Sequence, residues 1–384
     1  MDIMETKEAI EQIDSCNECG LCLDICQTYE VSQNEMFSPI GRLQTAKNVF
    51  QGNELSPEAV DSIYNCLKCA RCHVVCPQGI DILGIVRKAQ VNLVSQGIGP
   101  LERPNRIIEG IQKLGNSVNG DPAKRWDWLP EEFPKRESDT LLYIGCAACY
   151  LAPQAATSSY SLLKELGVDF MMLQDEGCCG DYYYNIGRMD LAREKFQENA
   201  EKFKRLGIKK IITICAGCYH TFNRWYPELL GERDFETIHI SQLLPDLLTK
   251  RREASKLVPE RGEGKDRKEM IYQDSCGLGR LEGIYNEPRE ALRLCGVKLI
   301  EMKQNRDLAA CCGAKNISNF RDISIKIAGN LLDEAKTPTI VTSCSFCLFG
   351  LSYGARKTGK NKKIQYLSEV VLDSLLQTGI SRLK

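Results

Sequence analysis

What most constrains this chain is where its cysteines fall. Twenty of its 384 residues are cysteine, against three histidines, and eighteen of the twenty sit in repeated arrangements. Cys16, Cys19, Cys22 and Cys26 are spaced two, two, three, and Cys66, Cys69, Cys72 and Cys76 repeat that spacing, with Pro77 next. Further on, Cys146, Cys178, Cys179, Cys215 and Cys218 are matched by Cys276, Cys311, Cys312, Cys344 and Cys347. A disulfide framework does not fit, because such scaffolds are short secreted chains without enough core. Here 43% of residues are hydrophobic, and residues 1–12 are polar and charged where a secretory leader would be apolar. The expectation is a cytoplasmic protein of two or three ordinary domains. Lys and Arg total 50 against 51 Asp and Glu, so charge gives no pull toward nucleic acid or an anionic membrane. No apolar run reaches the ~18 residues that a membrane span needs. Thiols in this number, in a reducing compartment, are expected to bind metal.

The two N-terminal runs have the bacterial ferredoxin spacing, in which three close thiolates wrap one cubane and the fourth crosses to the other. By that rule Cys16, Cys19, Cys22 and Cys76 hold one [4Fe-4S] cluster, and Cys66, Cys69, Cys72 and Cys26 the second. Zinc would want four ligands in two Cys-x-x-Cys pairs and would leave the other cysteines unexplained. Helical patterning over 40–50 and 57–64, the latter capped by Ser56 with Pro57 at its first position, fills the 39 residues between the runs. The segment resembles the helical ferredoxin domain of succinate dehydrogenase iron-sulfur subunits. Gln27 departs from the usual proline after the fourth cysteine and is expected to alter only the local turn. His73, inside the second run, reads as an exposed loop residue.

Residues 96–138, with five prolines, read as a connecting segment with a few helical turns. Beyond it, strands at 140–145, 168–173 and 210–214 alternate with helices at 158–166 and 189–206, which implies a parallel sheet with right-handed crossovers. Cys146, then Cys178 and Cys179, then Cys215 and Cys218 each follow a strand, so all five gather at the edge where open α/β sheets build their sites. The pattern recurs with strands at 270–274, 297–302 and 338–342, and the matching cysteines are offset by 130, 133 and 129 residues. Such phase agreement marks a duplicated domain. Gly180 and Gly313, after each Cys-Cys pair, suit a positive φ or a close backbone approach.

A cysteine, then Cys-Cys-Gly, then Cys-x-x-Cys resembles the cysteine-rich CCG domain of heterodisulfide reductases. The gaps are 31 and 35 residues in the first copy and 34 and 31 in the second. A ferredoxin module ahead of two such domains is the organisation of the heterodisulfide reductase catalytic subunit, and the resemblance covers essentially the whole chain. It implies that each set of five cysteines holds a noncubane [4Fe-4S] cluster. It also implies a disulfide substrate, the coenzyme M–coenzyme B heterodisulfide, reduced to two thiols with electrons fed through two cubane clusters. Iron-sulfur subunits of anaerobic glycerol-3-phosphate dehydrogenase and glycolate oxidase share the organisation, so the alternative is an electron-transfer subunit of a flavin-dependent dehydrogenase complex. An iron-sulfur scaffold without turnover fits the serial order of cysteines poorly.

The expected fold is therefore α/β with an N-terminal all-α ferredoxin domain and two repeated Rossmann-like parallel-sheet domains. Its divisions are 1–95 for the ferredoxin domain, 96–138 for a linker, 139–250 for the first CCG domain, 251–268 for a charged linker and 269–384 for the second CCG domain. No G-x-G-x-x-G follows a strand, so no flavin or NAD is expected on this chain. An electron-donor subunit is implied instead: a membrane cytochrome b, or a soluble flavoprotein, hydrogenase or formate dehydrogenase complex. Any membrane association would be made through that partner. Of the remaining residues, Cys295 reads as a small buried hydrophobe, and Cys149 as an alternative ligand or a thiol behind the ligands. His220 reads as a proton donor to a departing thiolate or a structural helix-start residue, and His239 as structural. Lys315 and Arg188 are candidates for holding an anionic substrate.

Overall fold

The computed structural model describes residues 4–255 and 268–377, so most of the charged joint expected over 251–268 lies outside the described residues. The N-terminal part is helical. Helices Pro39–Gln51 and Pro57–Tyr64 form where apolar periodicity placed them, and each begins with a serine whose hydroxyl accepts a backbone N–H. Ser38 takes Gly41 N at 3.0 Å and Ser56 takes Ala59 N at 3.2 Å, satisfying donors that have no partner within the helix. Helix Ile82–Ser95 packs across Pro39–Gln51 and buries Ile85, Val86, Ala89 and Leu93.

The segment 96–138 is more than a connector. It holds the 13-residue helix Glu102–Leu114, whose Ile107, Ile108 and Ile111 are buried, and Trp128 is buried in the core of the first repeat.

Two parallel sheets follow. β1 (Thr140–Tyr143), β2 (Lys210–Thr213) and β3 (Glu236–His239) lie in that order in the first. The second contains β4 (Glu269–Gln273), β5 (Lys298–Leu299), β6 (Thr339–Thr342) and β7 (Lys363–Tyr366), ordered β5-β4-β6-β7. All pairings are parallel. The second strand expected in each half is much reduced. Over 168–173 only Met171 bridges to Leu141, and over 297–302 only Lys298–Leu299 pairs. The reason in the first half is Glu176, whose carboxylate receives Ile144 N and Gly145 N at 2.9 Å each. The chain must leave the sheet early to carry Glu176 across the end of β1.

The halves face one another. Helix Pro153–Glu165 of the first packs on Leu367–Gln377 of the second, and Ile240–Ser255 packs on Asn286–Leu294. Each half thus sets its first long helix against the last helix of the other, the exchange expected of a two-fold relation. Ser158 and Ser159 both hydrogen bond Ser368 in that interface, at 2.6 and 2.9 Å.

Candidate functional site

Each N-terminal run turns through two left-handed residues, Glu18 and Gly20 in the first and Lys68 and Ala70 in the second. A bend repeated at the same two places wraps three thiols round one space. Cys16, Cys19 and Cys22 line a pocket together with Cys76, from the second run. Cys66, Cys69 and Cys72 line another together with Cys26, from the first. The side chain of Arg42 is buried beside the second pocket. Its Nε donates to Ser62 O at 2.8 Å, one Nη to Thr28 Oγ1 at 2.9 Å and the other to Cys26 Sγ at 3.7 Å. Burial opposes its charge, but the thiols of Cys66 and Cys26 hold the guanidinium protonated. A buried cation against four thiols suits a centre with negative ligands. His73 is exposed, and its Nδ1 meets Ile80 O at 3.0 Å.

All ten cysteines of the repeat line one cavity of about 300 Å³ at the carboxyl ends of both sheets. Their thiols lie side by side in a series. It runs from Cys146 through Cys178, Cys179, Cys218 and Cys215 to Cys344, then through Cys347, Cys312 and Cys311 to Cys276. Cys312 and Cys347 are 3.1 Å apart. The two sets meet at Cys215 and Cys344, which are equivalent positions and so lie on the two-fold relation. In each half the thiol of the second cysteine of the adjacent pair is held below the ordinary thiol range by the thiols beside it, Cys178 and Cys218 for Cys179, and Cys311 and Cys347 for Cys312.

Gly180 and Gly313 have φ +90° and +76°. A Cβ at Gly180 would come within 2.7 Å of Phe196, and one at Gly145, just before Cys146, within 3.1 Å of Cys218 Sγ. The turns that present the thiols therefore leave no room for a side chain. No three His, Cys, Asp or Glu side chains among the described residues close on one point as a single metal ion requires. The thiols instead border open pockets, all twenty are free of disulfides, and four share each N-terminal pocket while ten share the cavity between the repeats. That donor set fits iron-sulfur clusters better than an isolated ion.

His220 lines the cavity. Its Nδ1 is bonded to the carboxylate of Glu282 from the second half, while its buried Nε2 has no partner, and burial lowers its pKa. Phe349 occupies the matching place in the other half and also lines the cavity. Lys315 lines it too, whereas Arg188 is turned to the surface and paired with Asp190. Cys149 is buried in the core near Trp128 rather than in the cavity, and Cys295 packs against the same core. His239 is buried, with Nδ1 2.8 Å from Ser241 Oγ.

Several contributors carried no sequence signal. Glu176, ion-paired with the buried Arg125, pins the chain just before Cys146. In the second half Asp274, two residues before Cys276, is held by the fully buried Arg289 at 2.6 and 2.8 Å and accepts from Arg306 N at 2.8 Å. Gln27 accepts from Cys311 N at 2.7 Å and donates to Cys311 O at 3.1 Å. The missing proline is thus a splice between the N-terminal part and the second half, not a local turn adjustment. Arg280 adds a second link through Cys69 O at 2.6 Å, and Cys69 and Cys276 pack on one small cluster of Leu67, Cys311 and Ile327.

Paired cysteine-rich halves behind a two-run ferredoxin-type segment define an iron-sulfur oxidoreductase. Residues 12–80 match the 4Fe-4S dicluster domain family, and residues 140–223 and 270–352 match the cysteine-rich (CCG) domain family. The chain is 30% identical to a subunit of the dihydromethanophenazine:CoB–CoM heterodisulfide reductase of Methanosarcina acetivorans, over 91% of this chain and 90% of that one. It is 29% identical to the subunit of the same name from Methanosarcina barkeri, over 96% of each. It belongs to the family of these heterodisulfide reductase subunits. An EtfAB:quinone oxidoreductase of Syntrophomonas wolfei is 27% identical, over 94% of this chain and 58% of that one. Among the described residues no helix is long and apolar enough to cross a membrane.

Proposed function

We propose that the cavity between the repeats binds a disulfide and that the protein reduces it to two thiols. The balance is one disulfide, two electrons and two protons in, and two thiols out. The observation that carries this reading is that both sets of five thiols open on a single cavity of about 300 Å³ and meet at Cys215 and Cys344. A pure relay has no need of two matched sites facing one space. Cys146, Cys178, Cys179, Cys215 and Cys218 would hold one noncubane [4Fe-4S] cluster, and Cys276, Cys311, Cys312, Cys344 and Cys347 the other. Cys16, Cys19, Cys22 and Cys76, and Cys66, Cys69, Cys72 and Cys26, would hold two cubanes. Bound clusters supply electrons one at a time, so a pair beside one substrate answers a two-electron demand.

The chain's own residues orient and protonate. His220 lines the cavity braced by Glu282, and its imidazolium, formed by taking up a proton at Nε2, is the proton source we assign for a departing thiolate. Electrons enter the second half first, a route supported by Gln27 and Arg280 tying the Cys66–Cys69–Cys72–Cys26 pocket to Cys311 and its neighbours. The substrate proposed is the CoB–CoM heterodisulfide that the Methanosarcina relatives' names carry, with an electron-donor subunit as partner. A second reading, electron transfer to a carrier in a flavin-dependent complex, is favoured by the likeness to the EtfAB:quinone oxidoreductase. Anaerobically purified protein given reduced viologen and the heterodisulfide tests the choice. Dye oxidation with thiol release supports reduction, whereas electron exchange with a flavoprotein alone supports the relay.

A further inference from the structure

We propose that an apolar strip made by Leu21, Val74 and Leu308 is the docking face for a protein electron donor that presents basic residues round its redox centre; the inference rests on the reading that the N-terminal pockets hold clusters that pass electrons. These side chains are 49%, 40% and 36% exposed, three of the six large apolar side chains so exposed among the described residues. They lie on short elements that touch in series, Leu21–Asp24 against Arg71–Val75 and Arg71–Val75 against Arg306–Leu308. One buried guanidinium fastens the series: Arg71 donates to Ile25 O at 3.0 Å and to Leu308 O at 2.9 Å. The strip therefore crosses from the N-terminal part onto the second half.

Position ties the strip to the redox centres. Leu21–Asp24 carries Cys22 and Arg71–Val75 carries Cys72, so the face borders both N-terminal pockets. Of the twenty cysteines, all among the described residues, Cys19 alone is exposed, so the first pocket opens closest to an incoming partner. Charge supplies the partner's class. Residues 5–35 hold eight carboxylates, all exposed, against Lys7 as the one cation. Asp24 and Asp307, on the strip's own elements, are exposed, and among the described residues they have no ion-pair partner. The cations on those elements are committed elsewhere, Arg71 to the two carbonyls and Arg306 to Asn286 Oδ1 at 2.9 Å. An apolar centre with a rim of one charge is the anatomy of an interface for a partner of the opposite charge. Two copies of this chain paired through the strip would set these carboxylates against one another, which argues against self-association.

Stopped-flow mixing of photochemically reduced, full-length holoprotein with ferric cytochrome c, a lysine-ringed probe, or with oxidised rubredoxin, an acidic one, tests the face. A zwitterionic sulfonated viologen serves as the small-molecule control. The cytochrome c rate should fall steeply as salt rises, while the rubredoxin rate rises. Asp24→Lys with Asp307→Lys, at wild-type iron content, should slow cytochrome c about tenfold at low salt and leave the viologen within about twofold. Leu21→Gln with Val74→Gln should slow cytochrome c about threefold at every salt concentration, since apolar contact is not screened. The reverse salt dependence, or a cytochrome c rate unmoved by either pair of substitutions, would overturn the face. So would sedimentation as a dimer that Leu21→Gln with Val74→Gln makes monomeric, which would assign the strip to a second copy. Failure of the viologen itself to exchange electrons would remove the cluster reading, and this inference with it.

Discussion

Glu176 has a fully buried side chain, and three donors close on its carboxylate: Ile144 N, Gly145 N and the guanidinium of Arg125. Removing one member of such a pair leaves the other charged and unpaired in the interior. Glu176→Ala should therefore lower stability by about 3–5 kcal/mol, read as a fall in the denaturant midpoint; a loss under about 1 kcal/mol would show that Arg125 finds another partner. Gln27→Leu removes two hydrogen bonds from the buried backbone of Cys311 and should cost about 1–3 kcal/mol. It should also slow reduction of the disulfide by viologen without changing iron content; an unchanged rate would remove Gln27 from the electron route. The cysteines were legible because their identity and spacing are the signal. Gln27, Arg42, Glu176 and Arg280 were not, since each acts through partners far away in sequence or on groups that a one-dimensional pattern does not expose.

At the scale of elements, the turn after each Cys-Cys pair decides whether the thiols can face one space. Gly180 sits at φ +90° against Phe196, so Gly180→Ala is strained twice, by backbone and by contact. It should cost the holoprotein about four of its iron atoms. Gly177→Ala, where a Cβ would meet nothing within 4 Å, should keep them all. Equal iron in both variants would show that the turn tolerates a side chain. Alternating strands and helices were readable from hydrophobic periodicity, as was the cap at Ser56. The second strand of each half was not, because apolar residues at 168–173 pack without pairing once Glu176 draws the chain over the end of β1.

Across the whole molecule, the duplication was legible in the 129- to 133-residue offsets, whereas the way the halves join was not. Exchange of helices, with Cys215 meeting Cys344, depends on surfaces that no spacing reports. The seating of the N-terminal part on the second half, through Gln27 and Arg280, was equally hidden. Clusters spanning loops from several elements should also staple the fold, so iron chelation is expected to lower the unfolding temperature of the anaerobic protein. An unchanged unfolding temperature would mean that the cysteine loops are stable without metal. The most direct measurement is iron content and disulfide turnover on one anaerobic preparation. About 16 iron atoms per chain are expected, together with oxidation of reduced viologen by the heterodisulfide and release of two thiols. An iron count near 8, or full iron loading with no disulfide reduced, would contradict a duplicated site for disulfide reduction.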